Sequence, residues 1–329
     1  MNRGPVFVAG IERSGTSLMY ALLASHPNIA MTRRTNLWTF FYNQYGDLSQ
    51  PDNLERCLNA MVHYRRLVAL KIDPDRLRRE FPQGEPTYAR LFALIEEHHA
   101  EKVGKPRWGD KSVHTERYVD DIFPAYPGAK VLHMMRDPRD RYASSLTRWK
   151  KMRGGVGVGT ALWLASAALA RRNQQRYPDR YKVVRYETLA AQPEETLQEI
   201  CAFIGEDYSP AMLSMDGVES LQGGKSSYTQ KETRGISTKS IGRFRQVLSK
   251  RDIAFMQAQA REDMIFYNYE IDPLQLSPGE QLLYSLVDWP LNQARMLAWR
   301  TREAIESRKG RTPPDHTILD NVELQSAVE

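Results

Sequence analysis

Pro5-Val6-Phe7-Val8-Ala9-Gly10-Ile11-Glu12-Arg13-Ser14-Gly15-Thr16-Ser17-Leu18-Met19-Tyr20-Ala21-Leu22 is the stretch on which the fold turns. Residues 5–10 form an apolar run that reads as a short buried strand. Leu18, Ala21 and Leu22 recur at helical spacing, so 16–25 reads as a helix, with Pro27 just past its end. Between the two lie glycines in the G-x-x-x-x-G spacing of a P-loop, whose backbone N–H groups and following helix N-terminus cradle a phosphate. In the NTP-binding version a Lys and then Ser or Thr follow the second glycine. Here Thr16 stands where that Lys belongs, and the cation is Arg13, inside the loop. No strand ending in Asp reads as a metal-holding partner. A loop lacking both Lys and Mg²⁺ suits a less charged, diester-like 5′ group better than transferring β/γ-phosphates. Without a ligand, the same residues make a tight strand-to-helix turn.

Outward from this stretch, Lys130–Met135 and Tyr181–Arg185 read as further strands. Residues 115–123, 137–149, 160–175, 194–204, 251–262 and 279–309 read as helices, and 33–110 as mixed helix and loop. Strands separated by helices predict an α/β fold: a P-loop-like three-layer α/β/α arrangement around a central parallel sheet, with a C-terminal helical extension. Residues 217–240 are rich in Gly and Ser among Lys225, Lys231, Arg234 and Lys239, a composition that suits a mobile loop ordered by an anion.

The chain has 329 residues, 41% hydrophobic and 26% charged, long enough to bury a core without disulfides or metal. Its net charge of +6 is mild; it permits an anionic ligand and does not demand nucleic acid. Cys57 and Cys201 lack ligand-like spacing and read as two buried thiols in a reducing compartment. No signal-peptide layout and no bilayer-length apolar run occur, so a cytoplasmic, soluble protein is expected, with no metal and no nucleic-acid partner.

A second motif follows the strand Lys130–Met135: Arg136-Asp137-Pro138-Arg139-Asp140-Arg141-Tyr142-Ala143-Ser144. Arg136 at a strand's C-terminal end, joined by Ser144 on the next helix, is well placed for a phosphate; a capped helix start with surface salt bridges is the plainer reading. Taken with the loop, these residues resemble the 3′-phosphoadenylyl-sulfate (PAPS)-dependent sulfotransferases, most of all the bacterial enzymes and the carbohydrate and tyrosylprotein branches. The resemblance covers roughly residues 5–265 and implies a sulfotransferase domain over 1–270 with a helical extension and polar tail over 271–329. It implies that Gly10, Arg13, Ser14, Gly15, Thr16 and Ser17 bind the 5′-phosphosulfate of PAPS, and that Arg136 and Ser144 bind its 3′-phosphate. It implies that Lys111 stabilises the leaving group, PAP (3′-phosphoadenosine 5′-phosphate). Tyr186-Glu187 resembles the segment near the adenine, and Ile241-Gly242-Arg243-Phe244 a Gly-x-Trp region with Phe replacing Trp. Lys239 and Arg243 are the candidates in the segment that closes over the 3′-phosphate.

The sequence departs from the resemblance where a Glu general base is expected after His26-Pro27: the stretch reads Thr32-Arg33-Arg34-Thr35-Asn36. His114 is the first candidate to replace it, since imidazole accepts a proton near neutral pH; a helix-capping His is its bland alternative. Asp110, Glu12 and Asp47 follow. The remaining histidines, including His98-His99, read as solvated. The acceptor is expected to be a carbohydrate or glycolipid hydroxyl, then a small-molecule alcohol or phenol; a P-loop nucleotide kinase is the rival enzyme. Trp38, Phe40, Phe41, Tyr42 and Tyr45 suit either an acceptor ring or the core, and Arg33, Arg34, Arg65, Arg66 and the run Arg148 to Arg153 either an acidic polysaccharide or a solvated basic face. Residues 279–309 resemble an amphipathic basic helix, suited to a membrane surface, to packing on the domain, or to a second subunit of a homodimer.

Overall fold

A computed structural model describes residues 3–148, 154–218 and 235–320. Five strands form one sheet: β1 (Val6–Ala9), β2 (Ile29–Arg33), β3 (Arg107–Lys111), β4 (Lys130–Met135) and β5 (Tyr181–Arg185). Their order is β2-β3-β1-β4-β5, and every pairing is parallel. Parallel strands covered on both faces read as continuous apolar runs. β1 meets that rule, all four residues being buried.

Two of the five strands escape the sequence pattern. β3, Arg107-Trp108-Gly109-Asp110-Lys111, is polar yet wholly buried. Each polar group needs its own partner there. The Arg107 guanidinium donates to Gly4 O at 2.6 Å, Ile204 O at 2.9 Å and Glu206 Oε1 at 3.0 Å. Such partners come from distant parts of the chain, so no local periodicity announces them.

Helix α1 (Thr16–Ala24) and α5 (Pro193–Ile204) cover one face, where Val6, Val8, Leu22, Leu132, Leu197 and Ile200 form one core. α2 (Tyr88–Lys102) lies on the other, where Phe7, Trp38, Phe41, Leu91 and Tyr181 form a second. The expected three layers are therefore present. After β4 come α3 (Pro138–Arg148) and α4 (Gly155–Arg176), and α6 (Lys250–Phe266) packs on α4 through Trp163, Ala167, Ala260 and Met264. Residues Pro278–Leu283 make a capped helical turn, a wider π-turn follows over Tyr284–Asp288, and α7 (Trp289–Lys309) continues, seating Met296 in the core. The chain then returns to the β2 side: Leu319 N–H donates to His63 O at 2.8 Å.

Trp38 and Phe41 are core, with Phe40, Tyr42 and Tyr45 packed against them. Contrary to expectation, not all remaining histidines are solvated. His99 and His133 are buried, and His98 Nε2 bonds Glu80 at 2.7 Å. Cys57 and Cys201 are buried free thiols; burial pushes them up to about 12 and about 11. Of the 217–240 segment, residues 219–234 lie outside the described residues, Lys225, Lys231 and Arg234 among them. No described helix is long and apolar enough to cross a membrane, and no described cluster of His, Cys, Asp or Glu has the makings of a metal site.

Candidate active site

β1 lies between β3 and β4 at the centre of the sheet, and the chain leaves it toward β2 before returning to both neighbours. In open α/β sheets the crevice at such a switch point, beyond the strands' C-terminal ends, is where ligands bind. The Gly10–Gly15 loop caps this crevice. Gly10 has φ +115°, and a Cβ there would lie 2.5 Å from Met134 O, so only glycine fits. Gly15, at φ +96°, sits against the Tyr186 ring, where a Cβ would come within 2.6 Å of Cδ2. Gly15 is also the N-cap of α1, and no side chain among the described residues caps that helix. Its first N–H groups are thus available to an anion, on the positive end of the helix dipole.

The loop is held from behind. The fully buried Arg141 donates to Glu12 O at 3.1 Å and to Gly159 O at 3.2 Å; burial lowers its pKa to about 10. Glu116 Oε2 accepts the Gly10 N–H at 3.3 Å. Neither support stands out in the sequence: Arg141 is one arginine in a basic run, and Glu116 lies far from the loop.

In front of the loop is a pocket of about 340 Å³. Arg13, Gly15, Thr16 and Ser17 line it from the loop and α1, Arg136 and Ser144 from the end of β4 and α3, and Tyr186, Lys239 and Arg243 from beyond. Arg13 Nε donates to Ser144 Oγ at 3.0 Å. The Arg136 guanidinium lies 4.4 Å from the Tyr186 ring centroid and donates to Ser240 O at 2.8 Å, while Tyr186 OH bonds Ser240 Oγ at 2.8 Å. Two polar atoms at this site, Ser14 Oγ and Arg136 Nε, are buried without a hydrogen-bond partner among the described residues. Buried polar groups normally have one. An anion would supply what both lack, so these residues fit a phosphorylated ligand.

Asp140, which the sequence left unassigned, shapes the far wall. Its carboxylate accepts the N–H groups of Gly242 at 2.6 Å and Phe244 at 2.8 Å, fixing the Ile241–Phe244 turn. Phe244, where Trp was expected, is buried under the Arg139 guanidinium at 4.1 Å. Glu187 Oε1 accepts the Asp137 N–H at 2.9 Å, tying the Tyr186 segment to the start of α3.

Lys111 stands at the end of β3 and, like His114, is not among the residues that line this pocket. It is 3% exposed and stands in register with Arg33 of β2. The Arg34 N–H donates to Lys111 O at 2.8 Å. Burial first, and then Arg34 and Arg33, lower the Lys111 pKa to about 8; Asp110 and Glu12 pull the other way. Beneath it, the Thr32 hydroxyl lies 3.0 Å from both Glu96 Oε1 and Asp110 Oδ1, its one proton able to serve only one of them, and Thr35 Oγ1 donates to Asp110 Oδ1 at 3.0 Å. Burial raises both carboxyls, Glu96 well above its ordinary range with a further push from Asp110.

The candidate bases part company. The His114 ring sits among Glu116, Arg311, Arg117 and Glu303, its Nδ1 is buried without a partner among the described residues, and burial lowers its pKa. Arg117 and Arg311 both pair with Glu303 from α7. Asp110 is locked by hydroxyls. Asp47 is bonded to Ser49 and lines a separate cleft with Tyr42 and Tyr88. Glu12 is exposed on the loop itself.

A family model described as the sulfotransferase family matches residues 5–210. The chain belongs to the sulfotransferase family. Among curated relatives, it is 25% identical over 218 residues to a protein-tyrosine sulfotransferase of Drosophila melanogaster, covering 63% of this chain and 39% of that protein. It is 26% identical over 240 residues to nodulation protein NoeE of Sinorhizobium fredii, covering 66% and 53%. The chain thus spans about half or less of the length of these relatives. Among solved structures, the sulfotransferase domain of the Synechococcus PCC 7002 olefin synthase superposes with a TM-score of 0.59 at 21% identity, over 82% of this chain and 95% of that domain. The sulfotransferase domain from the curacin biosynthetic pathway gives 0.57 at 15% identity, over 82% and 99%. At such identities the likeness concerns the fold.

Proposed function

We propose that the protein transfers a sulfuryl group from PAPS to an acceptor hydroxyl. The observation that carries this reading is the single pocket joining an uncapped helix N-terminus to Arg13, Arg136, Ser144 and Tyr186. In this reading the loop and Arg13 hold the 5′-phosphosulfate, Arg136 and Ser144 the 3′-phosphate, and Tyr186 the base, with Lys239 and Arg243 on the outer rim. The acceptor oxygen forms a bond to sulfur as the bond from sulfur to the phosphate oxygen breaks. The acceptor proton goes to a protein base, and PAP leaves. Lys111 stabilises charge growing on the leaving oxygen, the role of a preorganised cation.

Glu12 is the preferred base. It is exposed on the donor loop, and its charge acts on the Lys111 ammonium, whereas His114 is boxed in by the Arg117–Glu303–Arg311 cluster. The acceptor is read as a carbohydrate or glycolipid hydroxyl whose acidic groups suit Arg33 and Arg34 at the end of β2. A small alcohol or phenol is the alternative. Against a kinase stands Thr16 at the position of the P-loop lysine.

The test is calorimetric titration with PAP and with ADP, without metal, for the wild type and Arg136→Gln. PAP is expected to bind far more tightly than ADP, and Arg136→Gln to weaken PAP by about 10–100-fold, the loss of a charge-assisted hydrogen bond. Equal binding of PAP and ADP would overturn the donor assignment. With an acceptor in hand, Glu12→Gln is expected to lower kcat more than His114→Gln; the reverse order returns the role to His114.

A further inference from the structure

The C-terminal helices carry a continuous apolar stripe that no described residue covers. Leu282 (61% exposed), Leu283 (50%), Leu286 (67%), Val287 (49%), Leu291 (44%), Leu297 (64%) and Ile305 (49%) all face solvent. The opposite side of the same helices is anchored: Asn292 and Met296 are buried, and Asp288 pairs with Arg251 and Glu303 with Arg117. Leu283, Val287, Leu291, Ala294, Ala298, Thr301 and Ile305 follow one another at steps of three or four, the spacing of a helix–helix seam. The π-turn at Tyr284–Asp288 takes more residues per turn than an α-helix, which keeps the two successive four-residue steps from Leu283 to Leu291 on one line.

The stripe is symmetric about Ala294. Leu291 and Leu297 stand three residues either side of it, Val287 and Thr301 seven, Leu283 and Ile305 eleven, and Glu280 and Arg308 fourteen. A two-fold axis at Ala294 would set an antiparallel second helix so that Leu291 meets Leu297, Leu283 meets Ile305, and Val287 meets the methyl-bearing side chain of Thr301. Glu280 at one end would then meet Arg308, with Lys309 beside it, at the other. Isologous contacts require a patch complementary to itself, and a small residue at the crossing lets the two backbones approach. We propose that this face pairs with the same face of a second copy of the chain, through α7 and the helical turns before it, crossing at Ala294.

The contact runs about 40 Å at 1.5 Å per residue. One helix against one helix makes an interface at the low end of the usual range, so a dimer with a dissociation constant of order 10 µM is expected. Sedimentation velocity of the full chain from about 1 to 200 µM tests it, with PAP affinity as a control that each variant is folded. The wild type is expected to pass from monomer to dimer, and Leu297→Glu and Ala294→Arg to remain monomeric. Arg308→Glu/Lys309→Glu and Glu280→Lys are each expected to weaken self-association at least tenfold, and their equimolar mixture to recover it as a heterodimer. A wild type that stays monomeric throughout overturns the proposal, as does a dimer indifferent to Leu297→Glu. A monomer that floats with phosphatidylcholine/phosphatidylglycerol vesicles overturns it in favour of a bilayer, to which Arg300, Arg308 and Lys309 would be suited.

Discussion

At the β1–β4 edge the groups that face the pocket are backbone N–H groups and a few side chains in short, contiguous motifs. At the β2–β3 edge the arrangement depends on hydroxyls and carboxyls gathered from three separate segments. Gly10–Ser17 and Arg136–Ser144 are each contiguous, a strand end followed by a turn and a helix start, though Glu116 and Arg141 brace the loop from behind. Thr32, Thr35, Asp110 and Ser112 need β2 and β3 brought together before they meet, and Glu96 needs α2 docked on both. The first edge is built to hold charge of one sign. The second buries two carboxyls beneath an amine that is itself crowded by arginines. An edge of the first kind fixes ligand position; an edge of the second kind sets how strongly a charged group responds to what arrives.

The largest break in this comparison is expected from Lys111→Met. It removes the amine and leaves the β1–β4 edge untouched. Sulfuryl transfer should fall roughly 10³-fold, the scale for losing a preorganised charge-stabilising donor, while PAP affinity changes only a few-fold. Rapid-quench turnover with radiolabelled PAPS, read beside calorimetry, separates the two. If PAP affinity collapses together with turnover, Lys111 belongs to the binding edge and the division fails.

The two edges also differ in how far the sequence discloses them. β1, β4 and β5, the loop and the Arg136–Ser144 pair are legible because each is encoded within about ten residues, and the structure brings the loop and the pair into one pocket. β2 and β3 are not: β2 has only Ile29-Ala30-Met31 before Thr32 and Arg33, and in β3 Arg107, Asp110 and Lys111 break the apolar run that marks a buried strand. Their burial is tolerated only through partners such as Glu206 and Thr35, distant in sequence. The supports Arg141, Glu116 and Asp140 are hidden for the same reason: their role lies in a contact across more than 100 residues. His98 and His99 mislead in the opposite sense, since a His pair beside two glutamates reads as solvated until α2 is packed.

A smaller effect sharpens the account of Lys111. Its pKa of about 8 means that the amine of the ligand-free protein is charged below that pH and loses its proton as pH rises through it. PAP is anionic and favours the charged form. Affinity should therefore be greatest below pH 7.5 and decline several-fold between pH 7.5 and 9.5, with a proton taken up on binding in that range. Lys111→Arg stays charged throughout and should flatten the profile. Titrations in buffers of different ionisation enthalpy measure the proton directly. An equal decline in wild type and Lys111→Arg would assign the effect to another group.

The smallest expected effect concerns the buried carboxyls beneath Lys111. Glu96 has a folded pKa well above its ordinary value, raised by burial and then by Asp110. Below the unfolded-state pKa, near 4.3, both states carry the proton and burial of the neutral acid costs little. As pH rises from there toward the folded pKa, the unfolded chain releases its proton while the folded chain retains it, so stability falls. Asp110 is shifted in the same direction and adds to the decline. Glu96→Gln keeps the shape and the oxygen that accepts from Thr32 but has no proton to lose. It should match the wild type near pH 4.5 and exceed it by about 1 kcal/mol or more at pH 8, one pKa unit being worth about 1.4 kcal/mol. Urea unfolding of the two proteins at both pH values measures the difference. Wild type and variant keeping the same gap at pH 4.5 and pH 8 would mean that Glu96 ionises inside the fold, with the cations around Lys111 holding its charge. The two edges would then share one electrostatic unit.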